Sequence, residues 1–124
     1  MRRVAWLAAI LLLALSAAPL LATETKQPLR VLYVGNTKKE RASEFEKLLR
    51  AHFAEVTIAD RTDFDPARAK GADVVVLDWS QSDSNLESTK IPFGRFEDWT
   101  KPTVLVNHAG LLVAERWNVI GGAG

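Results

Sequence analysis

Four consecutive apolar residues, Val74-Val75-Val76-Leu77, stand between Asp73 and Asp78. Three of them are β-branched, and a run with no polar alternation suits a strand covered on both faces. Strands of that kind belong to parallel sheets, where each neighbour is reached by a long crossover, usually a helix. The flanking sequence supplies such units. Residues 29–34 read as a first strand, ended by Gly35-Asn36. Thr37 then opens a helix: Thr37 and Glu40 fit a reciprocal capping box. Ala42, Phe45, Leu48, Leu49 and Phe53 recur at helical spacing, with Lys39, Glu46, Lys47 and Arg50 on the other face. Residues 55–59 form a second strand ending at Asp60. A short helix over 65–70 takes Asp65 as its cap and Pro66 in its first turn, where the missing N–H costs nothing, and Gly71 stops it. The third strand covers 73–77. Residues 80–101 are long, polar and irregular. Their Phe93, Phe96 and Trp99 are spaced like one face of a short helix and suit a lid or satellite core better than a binding platform. A fourth strand over 103–106 and a helix over 111–117 follow. This alternation predicts an α/β fold with right-handed crossovers, a three-layer open parallel sheet with strand order 2-1-3-4.

Ahead of this domain the chain reads Met1-Arg2-Arg3, then carries no charge through Thr23. Residues 4–15 are unbroken apolar sequence, followed by Ser16-Ala17-Ala18-Pro19 and Leu20-Leu21-Ala22. A positive start, an apolar core and a small-residue exit define a secretory signal peptide over 1–22. Ala18 and Ala22 are both acceptable cleavage points, and Ala22 is the expected one. Uncleaved, residues 4–22 would just span a bilayer of about 30 Å, but Pro19 and its small neighbours favour cleavage. The expected location is secreted or periplasmic, and a membrane would be met only through an uncleaved leader. Residues 23–28 are a polar linker, and 29–124 form one small domain. Loss of Arg2 and Arg3 lowers the Lys-plus-Arg count from 16 to 14 against 15 Asp plus Glu, turning a net charge of +1 into −1. That balance gives no electrostatic footprint for nucleic acid. The chain has no cysteine, which rules out a lipoprotein anchor, a disulfide staple, a thiol nucleophile and a thiolate metal site.

In open parallel sheets, ligands bind beyond the carboxyl ends of the strands where strand order reverses. In the expected order that point lies between the first and third strands. The residues leaving the strand ends are Asn36, Thr37, Asp60, Asp78, Ser80, Asn107 and His108, and these are the candidate ligand-binding residues. Polar loops follow strands in any such fold, so the convergence has a structural explanation as well. Gly35-Asn36-Thr37 with Lys38 and Lys39 faces a helix start, where free N–H groups and the dipole favour an anion. One glycine makes neither a dinucleotide fingerprint nor a phosphate loop, and a capped turn with solvated lysines is the simpler account. Without those glycines, Asp60 has little weight as a ribose-binding acid. His108 follows a buried strand and precedes Gly110, a position for a general base or ligand near neutral pH. His108 and Asp78 are the catalytic candidates, against a loop histidine satisfied by backbone. His52, at the end of the first helix, reads as a structural complement to the dipole. Carboxylates and histidines are too dispersed for a metal site, and no cofactor is implied.

Two resemblances bear on function. Ala72-Asp73-Val74-Val75-Val76-Leu77-Asp78-Trp79 resembles the third strand of response-regulator receiver domains, which would make Asp78 a phosphate acceptor. Such domains need an acidic pair after the first strand to hold Mg²⁺; this chain has Gly35-Asn36, and its leader directs it away from cytoplasmic phosphodonors. That reading is rejected. The second resemblance rests on Val31-Leu32-Tyr33-Val34-Gly35, on the strand ending in Asp78-Trp79, and on Pro102-Thr103-Val104-Leu105-Val106-Asn107-His108-Ala109-Gly110. In layout these resemble exported ThuA-like (trehalose-utilisation) domains of the class I glutamine amidotransferase-like superfamily, over residues 29–124. The resemblance implies a flavodoxin-like fold and a link to sugars. It does not carry over amidotransferase chemistry, which needs a cysteine. Gly121-Gly122-Ala123-Gly124 looks like a turn toward another strand, so the expected domain is one that lacks its last β/α units. Three functions stay open: a small-molecule, carbohydrate-type binding domain without independent catalysis; a hydrolase using His108 as base and Asp78 as orienting acid; and a structural or interaction domain. Oligomeric state is not legible.

Overall fold

The computed structural model describes residues 25–83 and 90–119. The leader over 1–22 and the Gly121-Gly122-Ala123-Gly124 turn lie outside the described residues. Within them the chain is α/β. Strands β1 (Gln27–Gly35), β2 (Phe53–Asp60), β3 (Val74–Trp79) and β4 (Thr103–Asn107) form one sheet in the order β2-β1-β3-β4. All three pairings are parallel. Helices α1 (Glu40–His52) and α2 (Ala109–Arg116) flank it. This is the flavodoxin-like open sheet expected from the strand pattern.

The sheet separates two apolar layers because side chains alternate along each strand. Val31, Tyr33, Val56 and Val76 face α1, where Ala42 and Leu49 meet them and Phe45 packs alongside. Leu32, Val34, Val75, Leu77 and Trp79 face the other way, against Ala69, Phe64, Phe93, Leu112 and Val113. The crossover from β1 to β2 through α1 and the one from β2 to β3 run in opposite directions across the sheet, so right-handed connections place them on opposite faces. β1 and β3 are therefore covered twice over, which is why their residues Val31–Val34 and Val75–Leu77 are almost free of polar atoms.

Several boundaries differ from expectation for local reasons. β1 starts at Gln27, inside the segment read as linker, and pairs there with Phe53; the register shifts before Arg30. Pro28, which has no N–H to give a ladder, sits in that irregular stretch. The Thr37/Glu40 capping box does not form. Helix α1 starts at Glu40, its cap position is Lys39, and no side chain caps it. Thr37 instead donates its hydroxyl to Asp60 at 2.6 Å and its N–H at 3.0 Å. An ionised carboxylate is a stronger acceptor than any group Thr37 would otherwise meet. Leu48, expected on the inner face of the helix, is exposed, because Ala42, Phe45 and Leu49 alone make the contact. The short helix is a 3-10 turn, Pro66–Gly71, that runs through Gly71; as expected, Asp65 caps it by accepting from the Ala67 N–H at 2.9 Å.

The aromatic stretch is core rather than a helical face. Within it the helical part is Phe96–Asp98, three residues of 3-10 helix. Gly94, at φ +77°, reverses the chain there. Phe93 is driven inward to 2% exposure, stacks on Trp99 at 4.0 Å and meets Phe64 edge-on at 5.9 Å. Phe96 stays outside at 53% exposure, resting on Trp117. The stretch therefore presents no continuous apolar platform. Phe93→Ala should cost about 3–5 kcal/mol, and Phe96→Ala under about 1 kcal/mol, in urea unfolding of the two variants side by side.

Candidate functional site

The order β2-β1-β3-β4 reverses direction between β1 and β3, so the carboxyl ends of these two strands mark the switch point. Tyr33 on β1 and Asp78 on β3 both point toward the α1 side there. Asp78 is 3% exposed, the one buried charged residue among those described. Tyr33 donates its hydroxyl to Oδ2 of Asp78 at 2.8 Å. Arg41, from the first turn of α1, grips the same carboxylate with Nε at 2.8 Å and Nη2 at 2.9 Å. Burial, reinforced by the hydrogen bond to Asp78, raises the Tyr33 hydroxyl far above its usual range, so it remains a neutral donor. The hydrogen bonds that Arg41 donates to Asp78 likewise raise Arg41.

Gly35 belongs to this arrangement. A Cβ there would lie 2.4 Å from the Tyr33 hydroxyl, and Tyr33 is fully buried, so only glycine lets the ring stand upright against the end of its own strand.

A second ion pair lies beside the first. Arg61, just past the end of β2, lays its guanidinium over the Trp79 ring at 4.1 Å and reaches Asp83 with Nη2 at 3.4 Å. Asn36 donates its Nδ2 to the same carboxylate at 3.1 Å. The hydrogen bond from Asn36, with help from Ser80 and Arg61, holds Asp83 below the ordinary carboxylate range. The Arg61 side chain is 7% exposed, yet its Nε is buried with no hydrogen-bond acceptor. Tyr33, Asn36, Lys39, Arg41, Arg61, Asp78, Ser80 and Asp83 together line a small cleft of about 20 Å³. A broader depression of about 290 Å³, lined by Thr25, Lys26, Gln27, Ala51 and His52, lies at the amino end of β1, away from the switch point.

Of the seven expected ligand-binding residues, Asn36, Asp78 and Ser80 meet in the cleft. Thr37 and Asp60 are adjacent to each other but do not line it. Asp60 accepts from the N–H and hydroxyl of both Thr37 and Thr62, which leaves it saturated. Burial alone would raise the Asp60 carboxyl, but these four donors outweigh it and hold it far below its ordinary value. Asn107 ends β4 in the left-handed region at φ 59°, a conformation asparagine tolerates. His108 starts α2, giving its N–H to the Trp79 carbonyl and accepting from the Leu112 N–H. The buried residues of α2 pack on the face of the sheet opposite Asp78. His108 thus precedes the helix that covers the face opposite Asp78, and the Asp78 oxygens are engaged by Tyr33 and Arg41.

Five lining residues were not among the expected ones: Tyr33, Lys39, Arg41, Arg61 and Asp83. A hydroxyl-bearing side chain within an otherwise aliphatic buried strand was a signal for Tyr33, because such a group needs a partner. For Arg41 and Arg61 the sequence offers none, since both sit among other charged residues. No protein-family model, curated protein or solved structure matches the chain.

Two consequences are measurable. Gly35→Ala should destabilise the fold by about 1–3 kcal/mol through overpacking against Tyr33, read from urea midpoints. Because Asp60 binds its proton more weakly folded than unfolded, its contribution is complete above the ordinary carboxylate range and fades as the pH falls through about 4 and below. Asp60→Asn should therefore lower stability at pH 7 by about 1–3 kcal/mol and flatten the decline of stability expected of the wild type below about pH 4.

Proposed function

We propose that this chain is an exported, ThuA-like domain that binds a small polar molecule of carbohydrate type at the cleft between the carboxyl ends of β1 and β3, without catalysis of its own. The observation that carries this reading is the meeting of Asn36, Ser80 and Asp78 with Lys39, Arg41 and Arg61 at the switch point of the sheet. These groups come from β1, β3, α1 and the turn after β2, and a fold places side chains from so many elements together where ligands bind such sheets. The leader over 1–22 supports export, and the strand-end sequences of β1, β3 and β4 support membership of the amidotransferase-like superfamily.

The absence of cysteine removes the nucleophile on which amidotransferase chemistry depends. Asp78, held by three hydrogen bonds, is a structural anchor of the cleft in this reading. The polar groups left to a ligand are those of Lys39 and Arg61, with the Ser80 hydroxyl beside them shared with Ser82 and Asp83.

Calorimetric titration of the purified chain against neutral and acidic mono- and disaccharides tests this. Saturable binding to at least one, weakened about tenfold or more in the Lys39→Gln, Ser80→Ala double variant, is expected if two ligand hydrogen bonds are lost. An absence of heat across the panel, or binding indifferent to the double variant, would remove the assignment.

A further inference from the structure

The cleft's own ion pairs leave a specific remainder. Arg41 is committed to Asp78 and cannot leave it without stranding a carboxylate that is 3% exposed. Asp83 takes one Nη of Arg61, at 3.4 Å, and the Nε of that guanidinium stays buried and unpaired. A charged donor in that condition is costly unless an acceptor reaches it. The Lys39 ammonium, on the same rim, has no side-chain partner among the described residues. Lys39 is also the cap position of α1, a thirteen-residue helix whose amino end no side chain caps. The leading N–H groups of a helix lack intrahelical acceptors and carry partial positive charge. Three cations line the cleft against two carboxylates, so the surplus is positive.

The size of the cleft narrows the occupant further. About 20 Å³ admits one oxygen-sized group and no sugar ring. A ligand must sit across the mouth and send a single small acceptor inward. Because Arg61 is stacked on Trp79 and nine-tenths buried, its fork is already fixed, so little side-chain freedom is lost when an acceptor arrives.

We propose that the group held here is an oxyanion, a carboxylate or phosphate carried on a small polar molecule, with one oxygen at Arg61 and the remaining charge met by Lys39 and the uncapped end of α1. This rests on the binding-domain reading of the same cleft and names the chemistry of its ligand.

The experiment titrates the purified chain with glucose, glucuronate, glucose 6-phosphate and inorganic phosphate, each at low salt and at about 0.5 M, where the Debye length falls to roughly 4 Å. Glucuronate or glucose 6-phosphate should bind at least about tenfold tighter than glucose, and the preference should shrink in high salt. Binding of glucuronate alone assigns a carboxylate; binding of glucose 6-phosphate, with inorganic phosphate competing, assigns a phosphate. Arg61→Lys keeps the charge but loses the fork and should reduce anion affinity about tenfold. Should that buried variant fail to fold by circular dichroism, the exposed Lys39→Gln carries the test and should lower anion affinity by a severalfold larger factor than it lowers glucose affinity. Glucose binding as tightly as glucuronate and glucose 6-phosphate, at low and high salt alike, overturns the oxyanion but leaves a sugar-binding domain. Silence from all four probes overturns both.

Discussion

A carboxylate at 3% exposure between the two central strands is tolerable only if its charge is answered on the spot. Asp78 has that answer from two directions. Tyr33 approaches along the sheet from β1, and Arg41 descends from α1 with both prongs of its guanidinium. The contact therefore ties three elements together at one atom group: β3, its neighbour β1, and the helix that crosses from β1 to β2. It fixes the height at which α1 begins above the strand ends. It also dictates Gly35, since the ring that reaches Asp78 occupies the space a Cβ would need. A comparable clamp holds the amino ends of the same strands, where Arg30 grips Asp73 through its side chain and backbone N–H and, chiefly by the side-chain hydrogen bond, lowers that carboxyl to about 2. The outer clamp is exposed, and solvent screens it. The inner one is shielded and sets the geometry of the site.

That geometry gives Asp78 a role other than the one its position in the sequence suggests. A strand ending Val-Leu-Asp resembles a phosphate-accepting strand, and the acceptor there must be open to attack a phosphodonor. Here both oxygens accept from protein donors, and a cation from α1 lies where a metal-binding acidic pair would have to help. A carboxylate whose oxygens are taken up by three donors is a weak nucleophile. The group organises the cleft, and neighbouring donors are left to meet whatever enters.

How much of this was legible in the sequence follows from what kind of force placed each residue. Strand order and the two-faced burial of Val75 to Leu77 follow from hydrophobic patterning, which is local and periodic, and the sheet formed as expected. The location of the cleft followed from topology, and Asn36, Asp78 and Ser80 were found by it. What stayed hidden was pairing at a distance. Thr37 looks like a helix cap because Glu40 stands three residues on, but Asp60, twenty-three residues away, outcompetes that arrangement. Arg61 reads as one charge in a polar turn, and nothing in its neighbours announces Trp79 beneath it. Phe93 and Phe96 look alike in the sequence, and a positive-φ glycine between them decides which one is core.

The same contest between local and distant partners explains why the rim of the cleft is cationic. Had Thr37 capped α1, its hydroxyl would have answered one of the helix's leading N–H groups. Asp60 draws it away, because four donors from Thr37 and Thr62 offer a carboxylate more than a lone helix end offers a hydroxyl. The cap position falls to Lys39, which has no side-chain acceptor to offer. An uncapped, lysine-bearing helix start thus comes to border a buried arginine whose Nε is unmet. Each of these features costs stability in isolation. Set side by side at the switch point of the sheet, they share one remedy, a negatively charged oxygen arriving from solution.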